Sequence, residues 1–325
     1  MKPFEKSVVT SRRGFVRTAC SASAIAALGM RPLSAGLFAG PSTDSAAETA
    51  VTEFYKTLSE KQRAVVCMPF GHDLRNKINA NWHITEPQIG DDFYTDAQRK
   101  LLDRVLQGLA SEDGYDLLKK QMEDDAGGMN YYSVAVFGEP GSGPFELEIT
   151  GRHLTLRADG NSVDKAAFGG PIVYGHGEED PDQNLFHSQT KQTNEVFRSL
   201  DADQAAKALI TAAPPRENAV ELQGADGTFP GIAVCELKDD QKKLVEQTLS
   251  VLLAPYRQED RDEVMQIVQE SGGTDALHMA FYSKGDLKSD KVWDIWRVEG
   301  PSFVWHFRGA PHVHAYINIG QRKSV

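Results

Sequence analysis

The sequence predicts an α+β fold: two pseudo-symmetric copies of a helix-helix-β-meander unit, with a mainly antiparallel sheet. Three pairs of matching stretches carry that expectation. "LSEKQRAVVC" (58–67) shares its leucine, acid, glutamine and alanine layout with "LDADQAAKALI" (200–210). "TDAQRKLLDRVL" (95–106) matches "KDDQKKLVEQTL" (238–249), each acid-rich at its N-terminus with apolar residues at helical spacing. "YYSVAVFGEPGSGPFELEITG" (131–151) matches "FYSKGDLKSDKVWDIWRVEG" (281–300): strand, glycine-containing hairpin loop, then an alternating strand ending in glycine. The offsets run from 142 to 150 residues, always in the same order. Amphipathic helix patterns recur easily, whereas a shared order points to an internal repeat. Helices packed on antiparallel strands follow, with a first half at 40–190 and a second at 191–325 packed as one globular unit.

Residues 1–39 read as a twin-arginine signal peptide. "SRRGFVR" (11–17) supplies adjacent arginines, and the small, apolar run "TACSASAIAALG" follows, too short to span a bilayer. Cleavage is expected after Ala35 or Ala39. The twin-arginine translocation machinery is then a partner, and the mature protein is expected to be periplasmic or extracellular. No later stretch offers about 18 uninterrupted apolar residues, so no membrane span is expected in the mature chain.

Residues 1–39 hold six of the 35 basic and one of the 46 acidic residues, which leaves 29 against 45, a balance of −16. Such a surface repels phosphate backbones, so nucleic acid is not expected as a partner. Of three cysteines, Cys20 lies in the signal, leaving Cys67 and Cys235 in apolar runs. Two buried thiols are favoured over a disulfide, and there is no cysteine metal cluster.

The candidate chemistry lies in histidines. In "HVHAYINIG" (312–320) the strand period puts His312, His314, Tyr316 and Asn318 on one face and Val313, Ala315, Ile317 and Ile319 on the other. Alternate histidines stand about 6.6 Å apart at Cα, a span that two imidazoles can close around one metal ion. "GRHLTLRADG" offers His153 at the start of a strand. "FGGPIVYGHGEEDPD" delivers His176 between two glycines that permit close backbone approach, with Glu178 and Glu179 following as candidate catalytic bases. Arg308 suits bidentate binding of a carboxylate or phosphate. His187, at the start of a helix ending near Leu200, reads as a cleft-lining residue and joins Arg308 and Tyr316 as a substrate-binding candidate. His306 reads as supporting or structural, and His72, His83 and His278 as structural. No GxSxG, HExxH, P-loop or helix-opening GxGxxG motif is present, which removes the commonest hydrolase, zincin and nucleotide classes.

At "YSVAVFGEPG", "GRHLTLRADG", "GGPIVYGHGEEDPDQNLFH" and "FVWHFRGAPHVHAYINIG" the chain resembles the domain-of-unknown-function 3500 (DUF3500) family of exported bacterial proteins, over roughly residues 50–320. The resemblance implies that His153 occupies the family's Gly-x-His strand motif and His176 the proline-containing segment after it. The sequence departs at Arg152, where many relatives carry a second histidine, and this weakens the case for two ligands there. The resemblance brings no activity with it.

Two functions are then open. The first is an exported metal-binding protein, an oxidoreductase or hydrolase, with His312 and His314 joined by His153 or His176 where the two sheets meet; the metal is copper, zinc or iron. The second is a non-enzymatic module that holds an extracytoplasmic glycan or peptide through Trp293, Trp296, Trp305 and Arg308.

Overall fold

The structure is a computed structural model that describes residues 40–288 and 290–321, so the twin-arginine segment and both cleavage points lie outside the described residues. The first half runs α1 (Ala46–Thr57), α2 (Glu60–Val66), β1 (Cys67–Met68), α3 (Asp96–Leu109), α4 (Glu112–Ala126), β2 (Ser133–Gly138), β3 (Phe145–Gly151), β4 (Leu154–Ala158) and β5 (Ile172–His176). The second runs α5 (His187–Ser199), α6 (Ala202–Ala208), β6 (Leu209–Ile210), β7 (Ile232–Ala233), α7 (Asp239–Leu253), α8 (Gln258–Glu270), β8 (His278–Tyr282), β9 (Ile295–Gly300), β10 (Phe303–Arg308) and β11 (Val313–Ile319). Apart from β7, the helices and strands follow one another in the same order in both.

The two halves share a hydrogen-bonded clasp as well as an order. Ser59 caps α2 and Thr95 caps α3, each closing a box with the glutamine three residues on, Gln62 or Gln98. Those two glutamines exchange amide bonds of 3.0 and 3.1 Å, and Gln98 also donates to the Thr57 carbonyl. In the second half, Gln204 and Gln241 exchange amide bonds of 3.0 and 2.8 Å, and Gln241 donates to the Ser199 carbonyl. One pair of side chains thus ties three helix ends together in each half.

All eleven strands form one sheet in the order β1-β2-β3-β4-β5-β11-β10-β9-β8-β6, with β7 on β8. The expectation of two sheets meeting is corrected here. The meanders join edge to edge through β5 and β11, antiparallel from Val313↔His176 to Ile317↔Ile172. An unpaired strand edge exposes a row of N–H and C=O groups, and this pairing satisfies both inner edges at once.

Strand alternation gives the sheet two different faces. One carries Leu147, Leu156, Tyr174, Trp305 and Ile317 into the main core with the helices. Trp296 and Trp305 are fully buried there, and Trp296 stacks on Phe307 with ring centroids 4.6 Å apart. These two tryptophans are core, not a glycan-binding surface. The other face lies under two long connections, whose Ala80 and Val220 pack on Val173, Val304 and Tyr316. It holds buried ion pairs, Arg157 with Glu146 and Glu148, and Arg297 with Glu299 at 2.7 Å. Cys67 is a free, half-buried thiol, so it does not pair with Cys235 and is less buried than its apolar run predicts.

A second buried charge cluster links α1 to α8. Arg257 grips Glu48 through contacts of 2.7 and 2.8 Å and Asp260 at 3.0 Å. Burial pushes Asp260 up to about 7 against the pull of Arg257, and pushes Glu263, with help from Asp260 and Asp159, up to about 8. Both folded values lie above the unfolded ones near 4. The stability these groups contribute is therefore complete below about pH 4 and is lost as pH rises through the folded values. We expect Glu263→Gln to raise Tm relative to the unsubstituted protein at about pH 8.5 and to leave it unchanged near pH 4, as read by thermal unfolding at the two pH values.

Candidate metal centre

The site forms at the C-terminal end of β5, where the register of the central strand pair decides which side chains meet. Val313 pairs with His176 and His314 with Gly175. His314 and, two residues earlier, His312 therefore point to one face, while Val313 enters the helix-side core. A Cβ on Gly175 would stand 2.2 Å from the Val313 carbonyl oxygen and 3.3 Å from the His153 Cβ, so only glycine lets the strands and His153 close up here. His153 itself occupies the turn between β3 and β4, not the strand, at a left-handed φ of 58°. That conformation costs a non-glycine residue about 1–2 kcal/mol. It is held in place from both ends: the His153 amide donates to the Ala80 carbonyl, and its ring bonds Asp125.

The three rings of His153, His312 and His314 stand as a near-equilateral triangle, with centroids 5.0, 4.9 and 4.8 Å apart. One nitrogen from each lies within 4.8 Å of the other two. Two outer carboxylates fix which nitrogens these are. His153 Nδ1 is 2.8 Å from Asp125 Oδ2, and His314 Nδ1 is 2.8 Å from Glu217 Oε2. A carboxylate accepts, so each Nδ1 carries the proton and each Nε2 keeps a lone pair facing inward. His312 Nε2 lies 3.1 Å from His314 Nε2. Two nitrogens bound tetrahedrally at 2.0–2.1 Å to one ion would stand about 3.3 Å apart, so this pair already has nearly the spacing of shared ligands.

The electrostatics favour neutral rings at His312 and His314 and charged carboxylates at Asp125 and Glu217. Partial burial, then the neighbouring His314, His153 and Arg308, hold His312 down to about 4. Burial also lowers His314, outweighing its bond to Glu217. Burial works to raise Asp125, but hydrogen bonds from His153, Gln121 and the Gly177 amide hold it below the usual carboxylate range. Glu217 is likewise held low, against its burial, by His314 and Arg308.

Of the residues singled out from sequence, the structure brings His153, His312 and His314 together. His176 stands outside the triangle. Pairing with Val313 sets it on the opposite face, where Nδ1 accepts from the Leu185 amide and Nε2 lies 3.3 Å from Asp124. Glu178 lines a cavity of about 540 Å³ with Asp124, Asp125, Arg152 and His176, which reaches the triangle's support Asp125 but is lined by none of its three histidines. Glu179 is exposed and outside that cavity. His187 opens α5 as expected but faces another cavity, with Lys191 and Asp294. Arg308 pairs with Glu217 at 2.6 Å, and the Tyr316 hydroxyl accepts from the Ala80 amide at 3.0 Å. His306 is buried on the same face, and burial followed by Arg297 lowers it to about 3. Asp125 and Glu217 were not legible as site residues: one ends a helix among other acids, and the other sits in the irregular "PPRENAV".

The family model described as "Protein of unknown function (DUF3500)" matches residues 41–318. No curated protein matches the chain, and no solved structure does.

Gly175→Ala should destabilise the fold by on the order of 3 kcal/mol, because the added methyl must push β5 away from β11. Urea unfolding checks this, and a cost within error of zero would show that the strand pair has room to spare.

Proposed function

The chain belongs to the DUF3500 family, a membership that names no activity, and we propose that it is an exported protein that binds one transition-metal ion through His153, His312 and His314. The observation that carries this reading is the convergence of three ring nitrogens whose outer nitrogens, in two of the three, are tied to carboxylates. Such carboxylate-histidine pairs orient metal ligands and raise their basicity. A three-histidine set that leaves a further position open suits zinc, where the metal lowers the pKa of a bound water and polarises a carbonyl. Copper is the second choice for an all-imidazole set, and iron the third, since no carboxylate among the described residues joins the triangle as a ligand. Within this reading the protein is a metal-dependent hydrolase. Glu178 is the candidate base; it lines a cavity with Arg152 and with Asp125, the carboxylate that supports His153.

We further propose that the two halves descend from one duplicated unit. The repeated element order and the matching glutamine clasps support this. Only the first copy supplies His153, while the second supplies His312 and His314, so the site belongs to neither half alone. The twin-arginine motif at 11–17 supports export in folded form to the periplasm or beyond. No helix among the described residues is long and apolar enough to cross a membrane.

Elemental analysis of the purified protein should find about one metal ion per chain. His153→Ala, His312→Ala and His314→Ala should each lose most of it, whereas His176→Ala and His306→Ala retain it. Asp125→Asn and Glu217→Gln should each weaken affinity by about 10–100-fold, the usual cost of losing a ligand's outer partner. Metal-free protein of unaltered stability would overturn the reading. Replacing Arg12 and Arg13 together by lysine should stop export, and fractionation showing normal export of that variant would contradict the route.

A further inference from the structure

The repeat offers an internal comparison on the sheet face that lies under the two long connections. Strand register fixes which positions correspond. Met68 of β1 pairs with Phe137 of β2, and Ile210 of β6 with Tyr282 of β8, so Phe137 and Tyr282 hold the same place in the two halves. From Met68 and Ile210 the chain runs the same length to matching contacts. Lys77 donates its amide to the Leu74 carbonyl, and Ala219 donates to that of Arg216. Just beyond, Ile78 and Ala80 of one connection and Val220 and Leu222 of the other pack into one shared cluster. All these positions correspond at a spacing of 142 residues, which sets Phe70 against Ala212 and Leu74 against Arg216.

The two halves fill that place differently. Phe137 is fully buried, packed with Phe70, Leu74, Trp82 and Ile84 of the first connection. Around Tyr282 the apolar cluster is Ala280, Ile295 and Ile210, all from strands. Ala212 offers one methyl where Phe70 offers a ring, and Arg216 lines a neighbouring cavity with Glu217 and Arg308. What remains is a cavity of about 480 Å³ with Tyr282 at its base and Ile210, Ala213, Pro215 and Pro230 among its walls. Ala213 and Pro215 are exposed and Ile210 and Pro230 half-buried, so these apolar walls present surface to a ligand. The charges of the cavity leave one carboxylate over. Arg297 holds Glu299 through Nε and Nη2 at 2.7 and 3.2 Å, and the two cancel. Glu221 is exposed in the wall and pairs with no cation among the described residues. It belongs to a chain whose residues 40–325 carry 29 basic against 45 acidic side chains, a field that draws cations in.

We propose that this cavity binds a small molecule that joins an aromatic ring to an amine. The ring takes the place that Phe70 fills in the first half, and the ammonium faces Glu221. Burial of the ring against Ile210, Pro215 and Pro230 supplies most of the attraction, since it removes apolar surface from water on both sides. The Tyr282 ring below favours an aromatic partner, whose quadrupole an aliphatic ring of the same size lacks. Neither contact depends on the metal ion.

The test is titration calorimetry of the full chain with phenylethylamine, cyclohexylethylamine, phenylpropionate and ethylamine, repeated on chelator-treated protein and on two variants. Phenylethylamine should bind, and cyclohexylethylamine about threefold more weakly. Phenylpropionate, whose charge meets Glu221, should bind about tenfold more weakly, and ethylamine, which has no ring, not measurably. Glu221→Gln should bring phenylethylamine and phenylpropionate to within about twofold of each other. Ala212→Phe restores the residue of the first half at an exposed position and should abolish phenylethylamine binding while the far-UV circular dichroism stays unchanged. No binding of phenylethylamine, equal binding of ethylamine, or tighter binding of cyclohexylethylamine or phenylpropionate by the unsubstituted protein overturns the site, even where Ala212→Phe fails to fold. Undiminished binding by a folded Ala212→Phe also overturns it. Binding that vanishes with the metal would put the amine on the ion and overturn the cavity, whereas binding that persists in metal-free protein supports the cavity whatever becomes of the metal reading.

Discussion

The antiparallel pairing of β5 with β11 is the constraint on which the rest depends. It closes the inner edge of each meander, turns two four-stranded units into one sheet, and fixes Val313 opposite His176. Because side chains alternate with a period of two, a slip of one residue would send His312 and His314 into the helix-side core and expose Val313 and Ala315 instead. Gly175 is the residue that permits the pairing at its tightest point, and His153 reaches the same place because its turn accepts a left-handed residue.

Around that pairing the polar chemistry is arranged in shells. Three imidazoles face one another, Asp125 and Glu217 fix the proton positions of two of them, and Gln121, the Gly177 amide and Arg308 in turn hold the carboxylates. Each outer contact strengthens the next inner one: a carboxylate held in its charged form is a better acceptor, and a ring that donates to it leaves a more basic nitrogen pointing inward. The same end of the sheet is bounded by α4 on one side and by the connection that carries Glu217 on the other, so the triangle is partly shielded yet still open at His312.

Much of this was legible in the sequence. The acid-rich starts and helical spacing of 95–106 and 238–249 fall on α3 and α7, and the shared order of the matched stretches was visible without coordinates. Alternation in "HVHAYINI" correctly separated His312 and His314 from Val313 and Ala315. What sequence could not supply was register between distant strands. His176 looked as good a ligand as His153, and only its pairing with Val313 sets it on the other face. The union of the meanders in one sheet was illegible for the same reason, since edge-to-edge pairing leaves no local pattern. Asp125 and Glu217 carry no motif; their roles arise from contacts across 28 and 97 residues. The tryptophans are resolved by burial: the alternation that made them visible also carries Trp296 and Trp305 into the core.

X-ray absorption at the metal edge of protein loaded with one equivalent of zinc tests the central claim most directly, because it counts and identifies the ligands without reference to activity. The account predicts about three imidazole nitrogens near 2.0–2.1 Å, with the remaining coordination completed by oxygen. A shell of six oxygens with no imidazole scattering, or a sulfur ligand near 2.3 Å, would contradict it.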